Sequence, residues 1–422
     1  MADIIIDGTT GANRLLMLDS AGKIPAVDGS QLTNFAAGNI VNGTISIARI
    51  DTGTTANKIV KLDGNAKLPA VDGSQITNMP GATKSSNDPT ISTNPSGGVG
   101  SEWHNTSTGE AYICTDATAG ANVWTNVGEG TGDIVPWLFG GTIRGFAAGN
   151  ESSNVIDSFS FASDGNATDH GDLTVARSTK AGHSSSTHGY VSSGSASAAS
   201  DKTIDKFTFA STGNATDVGD LTQIMTNSTG QSSQTHGFTS GGDNGPTINV
   251  INKFSFSVDG NATDHGDLTV ARSNEAGQSS TTHGFTSGGH TGSAYSNVID
   301  KFSVSANTTA TDVGDLTQAR SYCAGQSSET YGFTSTGYIA PNVNTIDKFS
   351  FASNNNATDH GDITVSRRGA GGQSSTTHGY TSGGHTSSAS NVIDKFTFAS
   401  TGNATDVGNL TVSRRGVAGS HY

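Results

Sequence analysis

The side chains best suited to chemistry recur at fixed spacing. Histidine stands before a Gly-Asp pair at His170, His265 and His360, and valine takes the same place at Val218, Val313 and Val407. Three histidines at threefold positions have the makings of a metal site. Arginine recurs at Arg177, Arg272, Arg320, Arg367 and Arg414, with Met225 in the one remaining copy. A guanidinium offers carboxylate or phosphate a planar fork of donors. His290, Tyr295, Tyr322, Tyr338 and His385 lie close to the stretches where the copies differ, and each joins an apolar body to a polar tip. Trp103 and Trp124 offer flat faces on which sugars can stack. Asn-Ala-Thr, at Asn166, Asn214, Asn261, Asn356 and Asn403, matches a glycosylation acceptor.

A tandem repeat must position these groups. An Ile-(Asp/Asn)-x-Phe core recurs at Ile156, Ile204, Ile251, Ile299, Ile346 and Ile393, at spacings of 48, 47, 48, 47 and 47 residues. Each copy carries four strand signals. Strand A is Gln-Ser-Ser, strand B is Gly-Phe-Thr-Ser-Gly-Gly, strand C contains the Ile-Asp-Lys-Phe core, and strand D is Thr-Asp-His-Gly-Asp-Leu-Thr. Four short antiparallel strands per repeat of this length describe a propeller blade. The repeats begin on a strand B at Gly145-Phe146 and stop on a strand A at Gly419–Tyr422, so the last strand is expected to complete the first blade. The expected fold class is all-β, with a C-terminal six-bladed propeller over 135–422.

This architecture bears on the chemistry. Strand D is outermost in a blade, which sets the three histidines far apart and predicts a structural or surface role with no metal. The Asn-Ala-Thr segments fall on C–D turns, where Asn tolerates left-handed backbone. Acidic residues repeat blade by blade, as framework residues do, so no carboxylate pair for glycoside cleavage stands out. Tyr322 and Cys323 are sequence neighbours, so their side chains diverge and do not crosslink as a copper oxidase requires. Neither a phosphate-binding loop nor a nucleophile elbow is present. No enzyme activity and no cofactor are expected.

Composition narrows the class further. Apolar residues are 32% and charged residues 14%, while Gly is 56 of 422, which excludes charge-rich disorder and helical bundles. A net charge of -14 argues against a nucleic-acid partner. Two cysteines, Cys114 and Cys323, rule out a disulfide framework. The N-terminus lacks a secretory leader, and no apolar run reaches membrane-helix length, so neither a signal peptide nor membrane insertion is expected.

Antiparallel order sorts the connections onto two faces. The A–B and C–D turns share one face and are nearly identical, with Thr-His-Gly at Thr187, Thr235, Thr282 and Thr377. The B–C and D–A loops share the other, and there the copies diverge: GDNGPTIN, GHTGSAYSN, TGYIAPNVN, GHTSSASN. A constant framework carrying a variable surface points to binding on the variable face. The expected receptor contacts are Arg177, Arg272, Arg320, Arg367 and Arg414, ringing the channel mouth, with His290, Tyr295, Tyr322, Tyr338 and His385.

Two segments precede the repeats. Over 1–80, GANRLLMLDSAGKIPAVDGSQLTN and TANKIVKLDGNAKLPAVDGSQITN repeat with an offset of 44 residues, around an alternating NGTISIARI. So few large apolar residues bury too little surface for a lone chain, so the segment is either flexible or shares a core with other chains, and its regular alternation favours the shared core. Over 85–133, SEWHN and AYICTD flank a Ser-Thr-Gly-Glu hairpin signal, NVWTNVG adds a strand, and the tryptophans are expected to form the core of a small β module. His104 is expected at the surface.

The paired NKIVKLD…KLPAVDGSQITN and GNIVNGTISIARI motifs resemble the shaft repeats of tail fibres from tailed bacteriophages, especially those infecting marine cyanobacteria, and the 85–133 module resembles one found in the same fibres. The resemblance implies a homotrimeric, β-rich fibrous stalk. The blades resemble kelch repeats: a Gly-Gly pair follows strand B at Gly241-Gly242, Gly288-Gly289 and Gly383-Gly384, and an arginine precedes strand A. The family's tyrosine and tryptophan are replaced by Phe of Ile-Asp-Lys-Phe and Leu or Ile of strand D, so the likeness describes the blade and carries no kelch partner. Together the resemblances imply a virion fibre made in the host cytoplasm. It would attach to other virion proteins through its N-terminus and bind a host surface glycan or envelope protein. A head-attached decoration fibre and a glycan depolymerase are the alternatives.

Overall fold

The computed structural model describes residues 81–127, 139–150, 153–178, 181–195 and 202–422. The shaft expected over 1–80 lies outside the described residues, as does Trp137. Among the described residues every regular element is a strand, and the fold is all-β. No helix there is long and apolar enough to cross a membrane.

Strands β1 (Thr83–Ser85), β2 (Glu102–Asn105), β3 (Ala111–Asp116) and β4 (Val123–Asn126) form one sheet in that order. Trp103 pairs opposite Tyr112 across the hairpin. Trp124 is buried with Tyr112 and Cys114, and Trp103 packs edge-on against it with centroids 5.9 Å apart. The Trp103 indole N–H donates to the Asn87 carbonyl (2.9 Å). Both tryptophans thus build the core of this sheet. His104 is half-exposed, 3.8 Å from the Glu102 carboxylate.

The repeats give six four-stranded sheets. The first is ordered β28–β5–β6–β7, from β28 (Ala418–His421), β5 (Arg144–Asn150), β6 (Ser153–Ser160) and β7 (Thr168–Asp172). The second holds β8 (Ala181–Ser184), β9 (His188–Ser192), β10 (Thr203–Thr208) and β11 (Thr216–Asp220). The third holds β12 (Thr229–Ser232), β13 (His236–Ser240), β14 (Val250–Ser255) and β15 (Thr263–Asp267). The fourth is β16 (Ala276–Ser279) to β19 (Thr311–Asp315), the fifth β20 (Ala324–Ser327) to β23 (Thr358–Asp362), and the sixth β24 (Gly371–Ser374) to β27 (Thr405–Arg414). Neighbouring strands are antiparallel throughout, and the chain's last strand, β28, completes the first sheet by pairing Ser420 with Phe146. Strands A to D of the sequence are these four positions in order.

Alternation sets the two large apolar residues of strand C on opposite faces. Ile251 packs toward the fourth sheet and Phe254 toward the second, both buried, while Lys253 is half-buried. The ring of Phe254 lies over Gly237 on strand B, where a Cβ would sit 2.3 Å from it. That contact makes glycine obligatory in Thr-His-Gly and reads Gly and Phe as one motif.

Apolar clusters lie between sheets, each joining neighbours. Phe238, Ile251 and Leu268 of the third sheet pack with Phe302 and Ala310 of the fourth. Tyr380, Ile393 and Leu410 of the sixth pack with Ala147, Phe159 and Ala167 of the first. Polar ties repeat with equal regularity. Thr269, at the end of strand D, donates both its N–H (3.1 Å) and its hydroxyl (2.6 Å) to Asp300 of the next sheet. Thr411 of the sixth sheet makes the same pair of bonds to Asp157 of the first (3.0 and 2.6 Å). At the C–D turns, the Asn261 side-chain oxygen accepts the Asp220 N–H of the preceding sheet (3.0 Å), and Asn403 serves Asp362 likewise (3.1 Å).

The alternate histidines belong to these interfaces. His170, His265 and His360 are 1–2% exposed, so a surface role is excluded. Each Nε2 bonds a strand-C carbonyl of the next sheet, Thr208, Ser303 or Thr397, at 2.7–2.8 Å. Each ring also meets a strand-B phenylalanine edge-on, as His170 meets Phe146 at 5.0 Å. Among the described residues no three His, Cys, Asp or Glu side chains are grouped to hold a metal.

The A strands face one another so closely that side chains are excluded. A Cβ on Gly230 would lie 2.2 Å from the Gly182 carbonyl oxygen, and Gly277, Gly325, Gly372, Gly419 and Gly182 meet their predecessors at 2.0–2.2 Å, the last meeting Gly419. Serines link the same strands: the N–H of Ser184 donates to Ser232 Oγ, Ser232 to Ser279, Ser279 to Ser327, Ser327 to Ser374, and His421 to Ser184, at 2.9–3.0 Å.

Two histidines on these strands predict a pH response. Burial pushes His183 and His421 down to about 4. An unfolded imidazole takes its proton near pH 6.5. Below that pH the unfolded state binds protons that the folded state refuses, so stability present above pH 6.5 is lost as pH falls toward 4. Each ring contributes about 1 kcal/mol of loss between pH 6.5 and 5.5. Urea unfolding across this window should show the decline. His183→Gln and His421→Ser, the residues other copies carry there, should flatten it; an unchanged slope in the double variant would refute the assignment.

Candidate functional site

The loops on the divergent face are tied to one another. Residues following strand D bridge to residues following strand B: Thr226 to Asp243, Ser273 to His290, Ser321 to Tyr338, and Arg368 to His385. Next in sequence comes a left-handed residue in every described copy: Asn227 (φ 55), Asn274 (φ 58), Tyr322 (φ 56), Gly369 (φ 62) and Gly416 (φ 63). Their backbones are chained head to tail. The N–H of Asn274 donates to Asn227 O (2.8 Å), Tyr322 to Asn274 (2.7 Å), Gly369 to Tyr322 (2.9 Å) and Gly416 to Gly369 (2.7 Å).

Asparagine and glycine suit this backbone, but tyrosine does not. Tyr322 bears about 1–2 kcal/mol of strain that its sister positions avoid. In return its side chain stands at the mouth of a cavity of about 310 Å³, bounded by the A strands and by Asn227, Asn274, Arg368 and Arg415. Phe139 lines the same cavity and packs edge-on against His421 (4.8 Å).

From Tyr322 and Arg368, which line the cavity, rings and one guanidinium form a continuous line across three sheets. His290 meets Tyr295 edge-on at 5.3 Å, and Tyr295 meets Tyr338 at 6.1 Å. The Arg368 guanidinium lies 4.4 Å from the Tyr338 ring centroid and 5.8 Å from that of Tyr322. His385 is joined to Arg368 by paired backbone bonds (2.8 and 3.1 Å). The structure therefore brings Tyr295, Tyr322, Tyr338, His290 and His385 together on one face. All five are half-buried or, like Tyr322 at 36%, exposed.

The five arginines expected beside them are corrected. Arg177, Arg272, Arg320, Arg367 and Arg414 are 0% exposed and lie beneath the loops. Four pair with a strand-C aspartate of their own sheet: Asp205 (3.1 Å), Asp300 (3.0 Å), Asp347 (3.1 Å) and Asp394 (2.9 Å). Arg414 pairs with Asp157. The first four also donate to a strand-B carbonyl, as Arg272 does to Thr286 (2.9 Å). Strand C reaches no water at this depth, so the charge is met by an internal carboxylate, and none of these five guanidinium groups is left to greet a ligand.

Sequence reasoning missed Arg368. A signal existed: the framework arginine is doubled at Arg367-Arg368 and Arg414-Arg415, where the other arginine-bearing copies have Arg-Ser. One carboxyl also borders the cavity. Glu275 is 4% exposed, and burial pushes it well above the usual carboxylate range, despite nearby Arg272.

Flat aromatic faces beside a guanidinium can stack on a sugar ring while the fork takes a polar group. Cys323 is buried with its Sγ against the Arg320 carbonyl (3.6 Å), so it does not join Tyr322 at the surface. Both cysteines are free. No protein-family model matches the chain, and no curated protein matches it.

Proposed function

We propose that residues 135–422 close into a six-bladed β-propeller of kelch-like blades whose loop face binds a glycan on a host cell surface. The propeller would be the head of a virion fibre, with residues 1–80 as a homotrimeric shaft and 85–133 as a small module between them. Closure is supported by β28 completing the first sheet, by the glycine contact from Gly182 back to Gly419, and by Thr411 bonding Asp157. The fibre reading rests on the likeness of the shaft repeats. The observation that carries the binding role is the line from His290 to Arg368, gathered on the one face where the copies diverge.

Mixing the whole protein with host envelope polysaccharide tests this. Retention of the polymer at undiminished length supports adhesion. Shortening of the polymer supports a depolymerase instead, and the absence of both retention and shortening supports a purely structural decoration. Light scattering should give three times the 42.8 kDa of one chain; the mass of a single chain would refute the trimer.

A further inference from the structure

We propose that the sugar held at the cavity mouth is acidic, and that Arg368 receives its carboxylate or sulfate. This rests on the adhesion reading above and names the ligand class for the same site.

The contrast among arginines carries the inference. Every buried framework arginine has its aspartate, whereas Arg368 is half-buried with no carboxylate in ion-pair range among the described residues. It is held instead by the faces of Tyr338 and Tyr322. A guanidinium stacked in this way keeps its edge N–H groups directed along its own plane, where a two-oxygen anion fits. Such an uncompensated cation is notable in a chain of net charge -14.

The neighbouring charges do not cancel it. Glu275 borders the cavity, but burial favours its neutral form. Asp243 accepts from the Asn227 side-chain amide (3.1 Å), in the third sheet, while Arg368 leads into the sixth. Arg415 also lines the cavity, one sheet further on. A cavity of about 310 Å³ is at the small end of ligand sites, near about 300 Å³, which suits a single sugar residue projecting from a polymer.

The test is binding of the full chain to two matched pairs: polygalacturonate against its methyl ester, and dextran sulfate against dextran. At least one acidic polymer should bind tenfold or more tightly than its neutral partner, and should weaken as salt rises. The acidic polymer that is retained distinguishes a carboxylate from a sulfate source. Arg368→Gln should remove at least tenfold of that affinity with an unchanged thermal midpoint, and Arg368→Lys should retain part of it. Lys348→Gln, whose amine sits over Tyr331 at 4.0 Å on the opposite, turn-bearing face, should bind as the parent does. Retention of neither acidic polymer, equal retention of acidic and neutral forms, or indifference to Arg368→Gln overturns the assignment. The adhesion reading falls separately, if host envelope polysaccharide is not retained at all.

Discussion

Asp300→Ala should lower the unfolding free energy by about 3–5 kcal/mol. The carboxylate is 0% exposed and holds Arg272 at 3.0 Å, so its loss strands a buried guanidinium. It also releases the Thr269 N–H and hydroxyl that join the third sheet to the fourth. The double exchange Arg272→Met with Asp300→Asn should cost far less, about 1 kcal/mol, because no charge is left unpaired. The third sheet already carries this pair. Met225 stands at the arginine position and Asn252 at the aspartate, with Asn252 Nδ2 3.4 Å from Met225 Sδ and Oδ1 accepting the Thr222 N–H (2.8 Å). Urea unfolding of the two single variants and the double gives the coupling directly. A double variant no more stable than Asp300→Ala would contradict the pairing account.

Gly325→Ala should cost about 3 kcal/mol, at the upper end of overpacking effects. Its new methyl would lie 2.1 Å from the Gly277 carbonyl oxygen, and backbone cannot turn aside as a side chain can. Gly260→Ala is the matched control, since nothing lies within 4 Å of a Cβ there; it should stay within about 0.5 kcal/mol of the parent. Thermal unfolding of the two variants separates a tight approach between A strands from an open C–D turn. Equal midpoints would mean that the A strands do not approach as described.

The strands and turns were legible because a repeat prints each local rule five or six times. Asn at the C–D turn and the Ile-Asp-Lys-Phe core showed in the spacing, whereas the Phe254 ring over Gly237 did not. The arginine partners did not. Arg272 and Asp300 are 28 residues apart, and strand order alone says nothing about which side chains meet beneath the loops. Yet the copy that lacks arginine also lacks aspartate, at Met225 and Asn252, and that joint exchange within one chain is the trace the pairing left. His170 was expected to be structural or at the surface, and it is structural. An outer strand is not an exposed one when the next sheet covers it, and the Thr208 carbonyl does so. The contact site was half legible: its tyrosines and histidines stood out near divergent loops. Arg368 did not, because Tyr322 and Tyr338 reach it from the preceding copy and meet it only once the sheets pack.

The proposed adhesion places the host glycan on the divergent face, against its aromatic line. The most direct measurement is the affinity of the whole chain for host envelope polysaccharide with Tyr338→Ala on that face and His236→Ala on the turn face. Tyr338 touches both Tyr295 and Arg368, whereas the His236 ring bonds Thr235 Oγ1 (2.8 Å) in its turn and lies near Phe238 of its own strand. The expected result is a loss of tenfold or more for Tyr338→Ala and none for His236→Ala. Unchanged binding in Tyr338→Ala together with loss in His236→Ala would place the contact on the wrong face and contradict the account.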